Sequence, residues 1–488
     1  MEKAKQHRKI RSTATHVIAK LACCAVLGMS PATFMLSPTA VEAQNIDQSL
    51  YTGAKARVNR SASLRSLTEA VASASCRVTA NIDLTTAVAE LAGYRDEFST
   101  ILNGLENGSD ILGMPGAESS ARPLRSIQQT AASWASMNAA ALKLTSGNGS
   151  LTDAATIRNS YGDMFEQTVV LAAIISGEYL EPQQLLQSDA TVLNFAVRQR
   201  ALAYRMARAT CELASGTATD ETRDELATTV DLFERSLVAL RDGFPSAGIN
   251  PPPNDAVAES LGATYDIWLA NRRIFDAALA GGTPSQDDVM KAATLSNELS
   301  KSMNNTITLN LIATPGQDGV YRVPLEAYSR DELANWLTDP ALISAIKAQN
   351  AKHEGLSEDE VIALDQQWRA EADAGGGPLI SELLGHPVSE WLLGRQTATA
   401  GFVTEVFIMD NKGLNVAQSV ETSDYWQGDD AKWQQTYSVG PDALHISEVE
   451  FDDSTGFYQS QASLSIKDPE TNEVIGAVTF GINVQNLM

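Results

Sequence analysis

SLRSLTEAVASASCRVTA (residues 63–80) decides the fold, because nearly the same sentence returns as AVRQRALAYRMARATCELAS (residues 196–215). A constant shift of 135 residues lays Arg65 on Arg200, Cys76 on Cys211, Phe98 on Phe233, Leu102 on Leu237 and Leu105 on Leu240. The same shift lays Gly108 on Gly243 and Gly113 on Gly248, after which one residue is lost and Trp134 falls on Trp268. A period this long marks a duplicated domain rather than a solenoid repeat, whose units are shorter.

Within each copy the apolar residues recur at helical spacing: Phe98, Ile101, Leu102 and Leu105 in one, Leu232, Phe233, Leu237 and Leu240 in the other. Turn residues punctuate the segments: Asn107-Gly108 and Met114-Pro115-Gly116 in the first copy, Gly243-Phe244-Pro245 and Pro251-Pro252-Pro253 in the second. The helices expected are 61–80, 83–107, 120–143 and 151–178, then 191–214, 219–242, 254–279 and 285–311. Asp153 and Asp287 fall in the matching first turn of each fourth helix, where a carboxylate suits the helix dipole. Two tandem four-helix bundles follow, over 44–190 and 191–320.

From about residue 325 the character changes. Arg330–Gln349 and Ser357–Ala372 read as amphipathic helices, with Ser357 and Glu360 spaced as a capping box. A break at Ala374-Gly375-Gly376-Gly377-Pro378 precedes a short helix over Leu379–Leu393. Strands are expected at Phe402–Met409, Leu414–Gln418, His445–Phe451, Tyr458–Ile466 and Val474–Val484, with Asp410-Asn411-Lys412-Gly413 as a hairpin turn. Ala462, Leu464 and Ile466 alternate with Ser463 and Ser465, as on a half-buried antiparallel strand. The fold class is thus multidomain: all-α tandem bundles, then an α+β domain with an antiparallel sheet over 326–488.

At the N-terminus, Lys3, Lys5, Arg8, Lys9, Arg11 and Lys20 precede an apolar stretch, Leu21–Leu36, and Val41-Glu42-Ala43 reads as a cleavage site. Residues 1–43 are therefore expected to be a signal peptide cut near Ala43, and the mature chain to be periplasmic and not membrane-spanning. Cys23-Cys24 lies at the start of the apolar stretch rather than its end, which argues against lipidation. Removing residues 1–43 takes away six basic and two acidic side chains and moves the net charge from −24 to −28. A surface this acidic repels nucleic acid and anionic lipid.

Cys76 and Cys211 are the cysteines left in the mature chain, at matching repeat positions. They form either a disulfide, as an oxidising compartment permits, or two buried thiols. Arg65 lies 11 residues before Cys76, and Arg200 keeps the same distance from Cys211. Eleven residues turn a helix through about 1100°, roughly 20° from three whole turns, so arginine and cysteine share a face about 16 Å apart. Two such helices packed in parallel present an arginine pair suited to an oxyanion, unless each arginine pairs with a carboxylate of its own bundle.

No HExxH, GxSxG, P-loop or CxxC motif occurs, and His353, His386 and His445 are far apart. No enzyme, metal site or cofactor is expected. Asp452-Asp453 lacks the glycine and the spaced carboxylates of a calcium loop and reads as a solvated turn, and Glu448–Asp453 as a wet sheet edge.

Arg200-Ala-Leu-Ala-Tyr204-Arg205-Met-Ala, and less closely the stretch around Arg65, resembles the first helix of the type IV pilus methyl-accepting transducer N-terminal domain. That module also occurs in nitrate-responsive histidine kinases. The resemblance implies a helical sensor in which Arg65 and Arg200 hold a small anion between two copies of the first helix. Glu69 stands where the second copy has Tyr204, so the site it implies is asymmetric.

Residues 326–488 resemble an extracellular Cache (PAS-like) sensor domain. The carrying motifs are EVFIMDNKGLN (405–415), SDYWQGDDAKW (423–433) and IGAVTFGI (475–482). The resemblance implies a small solute bound beneath the loop joining the second and third strands, against Tyr425, Trp426, Gln427, Lys432, Trp433 and Tyr437. The other reading of Trp426 and Trp433 is that they only close the open face of the sheet. The function expected is an exported, non-catalytic sensory binding protein that presents a small-molecule ligand to a membrane receptor or histidine kinase, since the chain ends at Met488 just after the last strand. The alternative is an envelope scaffold that uses its bundles for assembly.

Overall fold

Most helices of the two copies bury one apolar stripe, whereas the helix over 54–80 is buried on nearly every side and ends on Asn81 in the left-handed region (φ 56°). In the computed structural model, which describes residues 53–179, 187–313, 319, 321–399, 401–452 and 457–487, the first copy forms α1 (Ala54–Ala80), α2 (Leu84–Asn107), α3 (Ala121–Thr145) and α4 (Leu151–Tyr179). The second forms α5 (Gln187–Ser215), α6 (Thr222–Asp242), α7 (Asp255–Asn271), the short α8 (Asp276–Leu279) and α9 (Gln286–Ile312). Residues 1–43, expected to be a signal peptide cut near Ala43, lie outside the described residues, as does Asp453.

The copies match in detail. Phe98 stacks on Trp134 with ring centroids 4.0 Å apart, and Phe233 packs on Trp268 at 4.7 Å. Gly108 (φ 84°) and Gly243 (φ 81°) end the second helix of each copy. A single 3-10 turn follows in both, closed by an antiparallel bridge, Ser109–Met114 in one and Phe244–Ile249 in the other. Each fourth helix opens on a serine and a carboxylate three residues on. Asp288 accepts from the Ser285 amide at 2.9 Å, and Asp153 from the Ser150 amide at 3.0 Å. The counterpart of Asp153 is therefore Asp288 rather than Asp287. The residue lost before Trp268 is regained ahead of α9, because the cap requires the acid at the third helical position.

The two bundles join through α1 and α5, which run parallel and in register. Ser63 contacts Arg200, Glu69 contacts Arg205 and Cys76 contacts Cys211, so sequence position rises together on both helices.

Beyond the bundles come α10 (Arg322–Asp331), a 3-10 segment (Leu333–Thr338), α11 (Pro340–His353), α12 (Glu358–Asp373), α13 (Pro378–Leu384) and α14 (Pro387–Ala398). The single helix expected over 330–349 is broken at Asp339-Pro340. Proline suits the first position of a new helix, and the Asp339 carboxylate caps it by accepting from the Ala341 amide at 2.9 Å. His386-Pro387 divides the helix expected over 379–393 in the same way. Ser357 and Glu360 form the capping box on α12.

The sheet comprises β1 (Val403–Met409), β2 (Asn415–Gln418), β3 (Leu444–Ile446), β4 (Glu450–Asp452), β5 (Phe457–Lys467) and β6 (Val474–Asn483), with a short helix, α15 (Ala431–Gln434), between β2 and β3. All pairings are antiparallel, in the order β2-β1-β6-β5-β3, and β4 also pairs with β5. The strand expected at 445–451 is thus two short strands. The Ser447 hydroxyl accepts from the Gln461 amide where a ladder carbonyl would, and this interrupts the pairing. Asp452 belongs to β4 rather than to a turn. One sheet face (Val406, Ile408, Leu464, Val478, Phe480, Ile482) forms a core with α10, α11 and α14.

Candidate functional site

The opposite face of the sheet carries the other parity of each strand: Glu405, Phe407 and Met409 on β1, Gln459 and Gln461 on β5. Glu405 pairs across the ladder with Gly481, and Gly481 with Gln461. A Cβ at Gly481 would lie 2.6 Å from the Glu405 Cγ, so glycine is what lets the side chains on either side meet over it. Gln459 and Gln461 each donate from Nε2 to the Glu405 Oε1 at 3.3 Å.

Part of this face is covered and part is open. Trp433 stacks on Tyr437 with centroids 4.8 Å apart, and both pack on Phe407, Met409 and Ala477. The Trp433 indole donates to the Asp410 carbonyl at 3.1 Å. Tyr425 stacks instead on Trp368 of α12, at 5.6 Å, and the Trp426 indole donates to the Lys412 carbonyl at 2.9 Å. Asp365 of α12 pins this loop by accepting from the Tyr425 and Trp426 amides at 2.9 and 3.1 Å.

Beside the covered part lies a cleft of about 330 Å³. Its floor is Glu405, Phe407, Gln459 and Gln461; one wall runs from Glu421 to Asp424 with Gln427 and Lys432, and the other holds Glu450, Phe451 and Asp452. Of the six residues expected to bind a solute, Gln427 and Lys432 line this cleft. The four aromatic ones close the sheet or anchor the loop. β4 (Glu450–Asp452) is exposed at the margin of the sheet, as the wet-edge reading of this charge run expects, and Glu450 and Asp452 also form a wall of the cleft.

The charge of the lining is one-sided, with five carboxylates (Glu405, Glu421, Asp424, Glu450, Asp452) and one ammonium. Arg369 offsets Asp424 from behind at 3.1 Å, and Lys432 is itself held by Asp430 at 2.8 Å. Burial pushes the Glu405 carboxyl above its ordinary value of 4.5, against the pull of the Gln461 amide; the Asp452 charge pushes the same way as burial and Lys432 against it. Among the described residues, no group of three or more His, Cys, Asp or Glu side chains is arranged to hold a metal ion. The carboxylates in the cleft wall gave no motif in the sequence. The floor, by contrast, could have been found from strand parity, which puts Glu405 and Phe407 on one face of β1 and Gln459 and Gln461 on one face of β5.

At the bundle interface, Arg65 and Arg200 occupy the same level of α1 and α5. Both terminal nitrogens of Arg65 donate to the Asn194 Oδ1 at 3.2 Å, and Arg200 donates to Asn304 and, at 3.0 Å, to the Ser63 hydroxyl. Among the described residues neither makes an ion pair with a carboxylate, and the Arg200 Nε is buried without a hydrogen-bond partner. Burial lowers both guanidiniums to about 10, helped by Arg198 at Arg65 and by Arg60 and Arg65 at Arg200, where Glu97 acts in the opposite sense. Three turns on, Cys76 and Cys211 are joined by a disulfide, with Cα atoms 6.3 Å apart.

Between these two levels lies a cluster that spacing did not suggest. Glu69 is fully buried and accepts from Arg205 at 2.7 Å and Arg208 at 2.8 Å. Arg208 also binds Glu212 and Glu225, and its guanidinium lies 4.3 Å from the ring centroid of Tyr161 of the first bundle. The position where the copies differ, Glu69 against Tyr204, is thus a charged lock between bundles. Its first-copy counterparts, Ala70 and Ser73, supply no second cation pair.

A family model described as type IV pili methyl-accepting chemotaxis transducer N-term matches residues 184–292, of which 187–292 run from the start of α5 into α9. No curated protein and no solved structure matches the chain. The matched family is a sensory transducer domain and not a catalytic one. Among the described residues no helix is long and apolar enough to cross a membrane.

Proposed function

We propose that the chain is an exported sensory binding protein whose C-terminal, Cache-like domain takes up a small cationic solute. The observation that carries this reading is the cleft over β1 and β5, with five carboxylates against one lysine around about 330 Å³. A cleft of one sign concentrates counter-ions of the other sign, and a charged ligand then gains hydrogen bonds stronger than neutral ones. A small acid would meet the same field as repulsion. The transducer-type match in the second bundle supports a signalling role rather than transport alone. Delivery by residues 1–43 to the periplasm, and hand-over to a membrane receptor or histidine kinase, belong to the same proposal.

A route from cleft to bundles supports the signalling part. Strand β6, which carries Gly481 under Glu405, runs into Val484–Leu487, and this segment docks on the helices. Arg60 of α1 donates to the Gln485 carbonyl at 2.9 Å, and the Gln485 amide donates to Asn305 of α9 at 2.8 Å. A thermal-shift screen of the mature chain against small amines, guanidines, carboxylates and sugars tests the reading. The prediction is stabilisation by members of the cationic set, reduced in Glu405→Gln. Stabilisation confined to carboxylates would contradict it.

A second reading concerns the arginines. The unpartnered, buried Nε of Arg200 and the lack of an ion pair at Arg65 favour a small oxyanion between α1 and α5. Nitrate or a similar anion should then stabilise the wild type but not Arg200→Gln; equal stabilisation of both would remove the site.

A further inference from the structure

The two bundles are filled differently at one matching end, and the difference leaves a cavity. In the first bundle Arg57 is 2% exposed and ties the end together. Its terminal nitrogens donate to the carbonyls of Leu105 at 3.1 Å, Gly116 at 2.6 Å and Pro115 at 3.4 Å. Glu118 lies 3.9 Å away, and the Tyr179 ring centroid 5.4 Å. Leu171 and Ile175 are fully buried on α4.

The 135-residue shift, fixed on the fourth helices by the Ser150 and Ser285 caps, carries Arg57 to Val192, Leu171 to Thr306 and Ile175 to Asn310. Glu118 falls among Pro251, Pro252 and Pro253. The residues at these replaced positions all line one cavity of about 200 Å³ in the second bundle. Arginine is exchanged there for a shorter apolar side chain, and two large aliphatic residues for small polar ones. Such substitutions leave space in a core that is otherwise closely packed.

We propose that this cavity binds a small, uncharged molecule with an apolar body and one polar end, of about the size of phenol. No acidic or basic side chain lines it, so an ion would lose its hydration there without a partner. Leu240, Val257, Leu261 and Ile307 give the apolar wall, and the amides of Asn250 and Asn310 can each make more than one hydrogen bond. The Thr306 hydroxyl is already engaged, with Ser260 at 2.7 Å and the Ser302 carbonyl at 3.1 Å. A protein cavity of about 150 Å³ accommodates benzene, so the volume here admits one ring with a substituent. The site is distinct from the cleft and from the arginine level, and it does not depend on either.

The test is calorimetric titration of the mature chain with phenol and cyclohexanol, beside benzoate and benzylamine as charged counterparts. Saturable binding of the neutral pair is expected, with the charged pair at least tenfold weaker. Thr306→Leu combined with Asn310→Ile installs the first-bundle residues and should weaken phenol binding at least tenfold, while Glu405→Gln leaves it unchanged. Val192→Met fills the same space from α5 and gives the same reading should the double variant not fold. No saturable binding to the wild type, or undiminished binding in the folded filled variants, would overturn the proposal.

Discussion

At the scale of the residue, two glutamates carry most of the meaning. Glu405 sits on the floor of the cleft with its carboxyl pushed above 4.5 by burial, so it is protonated over a range where ordinary glutamates are not. As pH rises through that raised value the proton leaves. Cation affinity should then climb, while the stability of the empty protein falls, because burial favours the neutral form present at lower pH. Replacing Glu405 with glutamine should flatten the pH dependence of binding and cost about tenfold in affinity, the lower range for a charge-assisted hydrogen bond. Glu69 acts on stability instead. Glu69→Gln leaves Arg208 buried with Glu212 and Glu225 still in place, so the cost should be about 2 kcal/mol, below the range for breaking an isolated buried pair, and denaturant titration would measure it. The sequence marks Glu69 as the odd residue of the repeat. Its partners, Arg205 and Arg208, could not be read there, because they come from α5 of the other bundle after the bundles pack.

At the scale of the element, the duplication makes predictions in pairs. Gly108→Ala and Gly243→Ala both put a side chain at positive φ, so each should destabilise by about 1 kcal/mol or more, and by similar amounts. Cys76–Cys211 clasps α1 to α5 across 135 residues. Mass measurement without reductant should find no free thiol at either position, and reduction should lower stability by about 2–4 kcal/mol. Most long helices were legible to within about four residues, because apolar spacing and turn residues agree over each run; α1 instead begins seven residues before the expected 61, at Ala54, and the helix expected over 254–279 is broken after Asn271 by the 3-10 turn Arg272–Phe275 that separates α7 from α8. The other elements that differed were short and decided by a single local event. Pro340 starts a new helix inside a continuous amphipathic pattern, and the Ser447 hydroxyl interrupts a strand whose alternation looks unbroken. The cleft was legible only in part: the loop over it was, through Gln427 and Lys432, but its acidic wall was not, since Glu450 and Asp452 acquire their place only when β4 folds back on β5.

At the scale of the whole molecule, the chain is a duplicated helical body with a sheet domain whose last strand is tied back into it. Val484 lies in the second-bundle core and Leu487 in the core behind the sheet, so the end of β6 belongs to both. A solute that shifts β6 therefore bears on Arg60 and Asn305 through Gln485. The acidic cleft is the proposed place where a solute is received. Calorimetric titration of the mature protein with 1,4-diaminobutane, methylguanidine and succinate, at a pH above the Glu405 transition, tests it most directly. Saturable binding of at least one cation is expected, weakened about tenfold in Glu405→Gln, with no binding of succinate. Binding of succinate with no binding of either cation, or cation binding that Glu405→Gln leaves untouched, would contradict it.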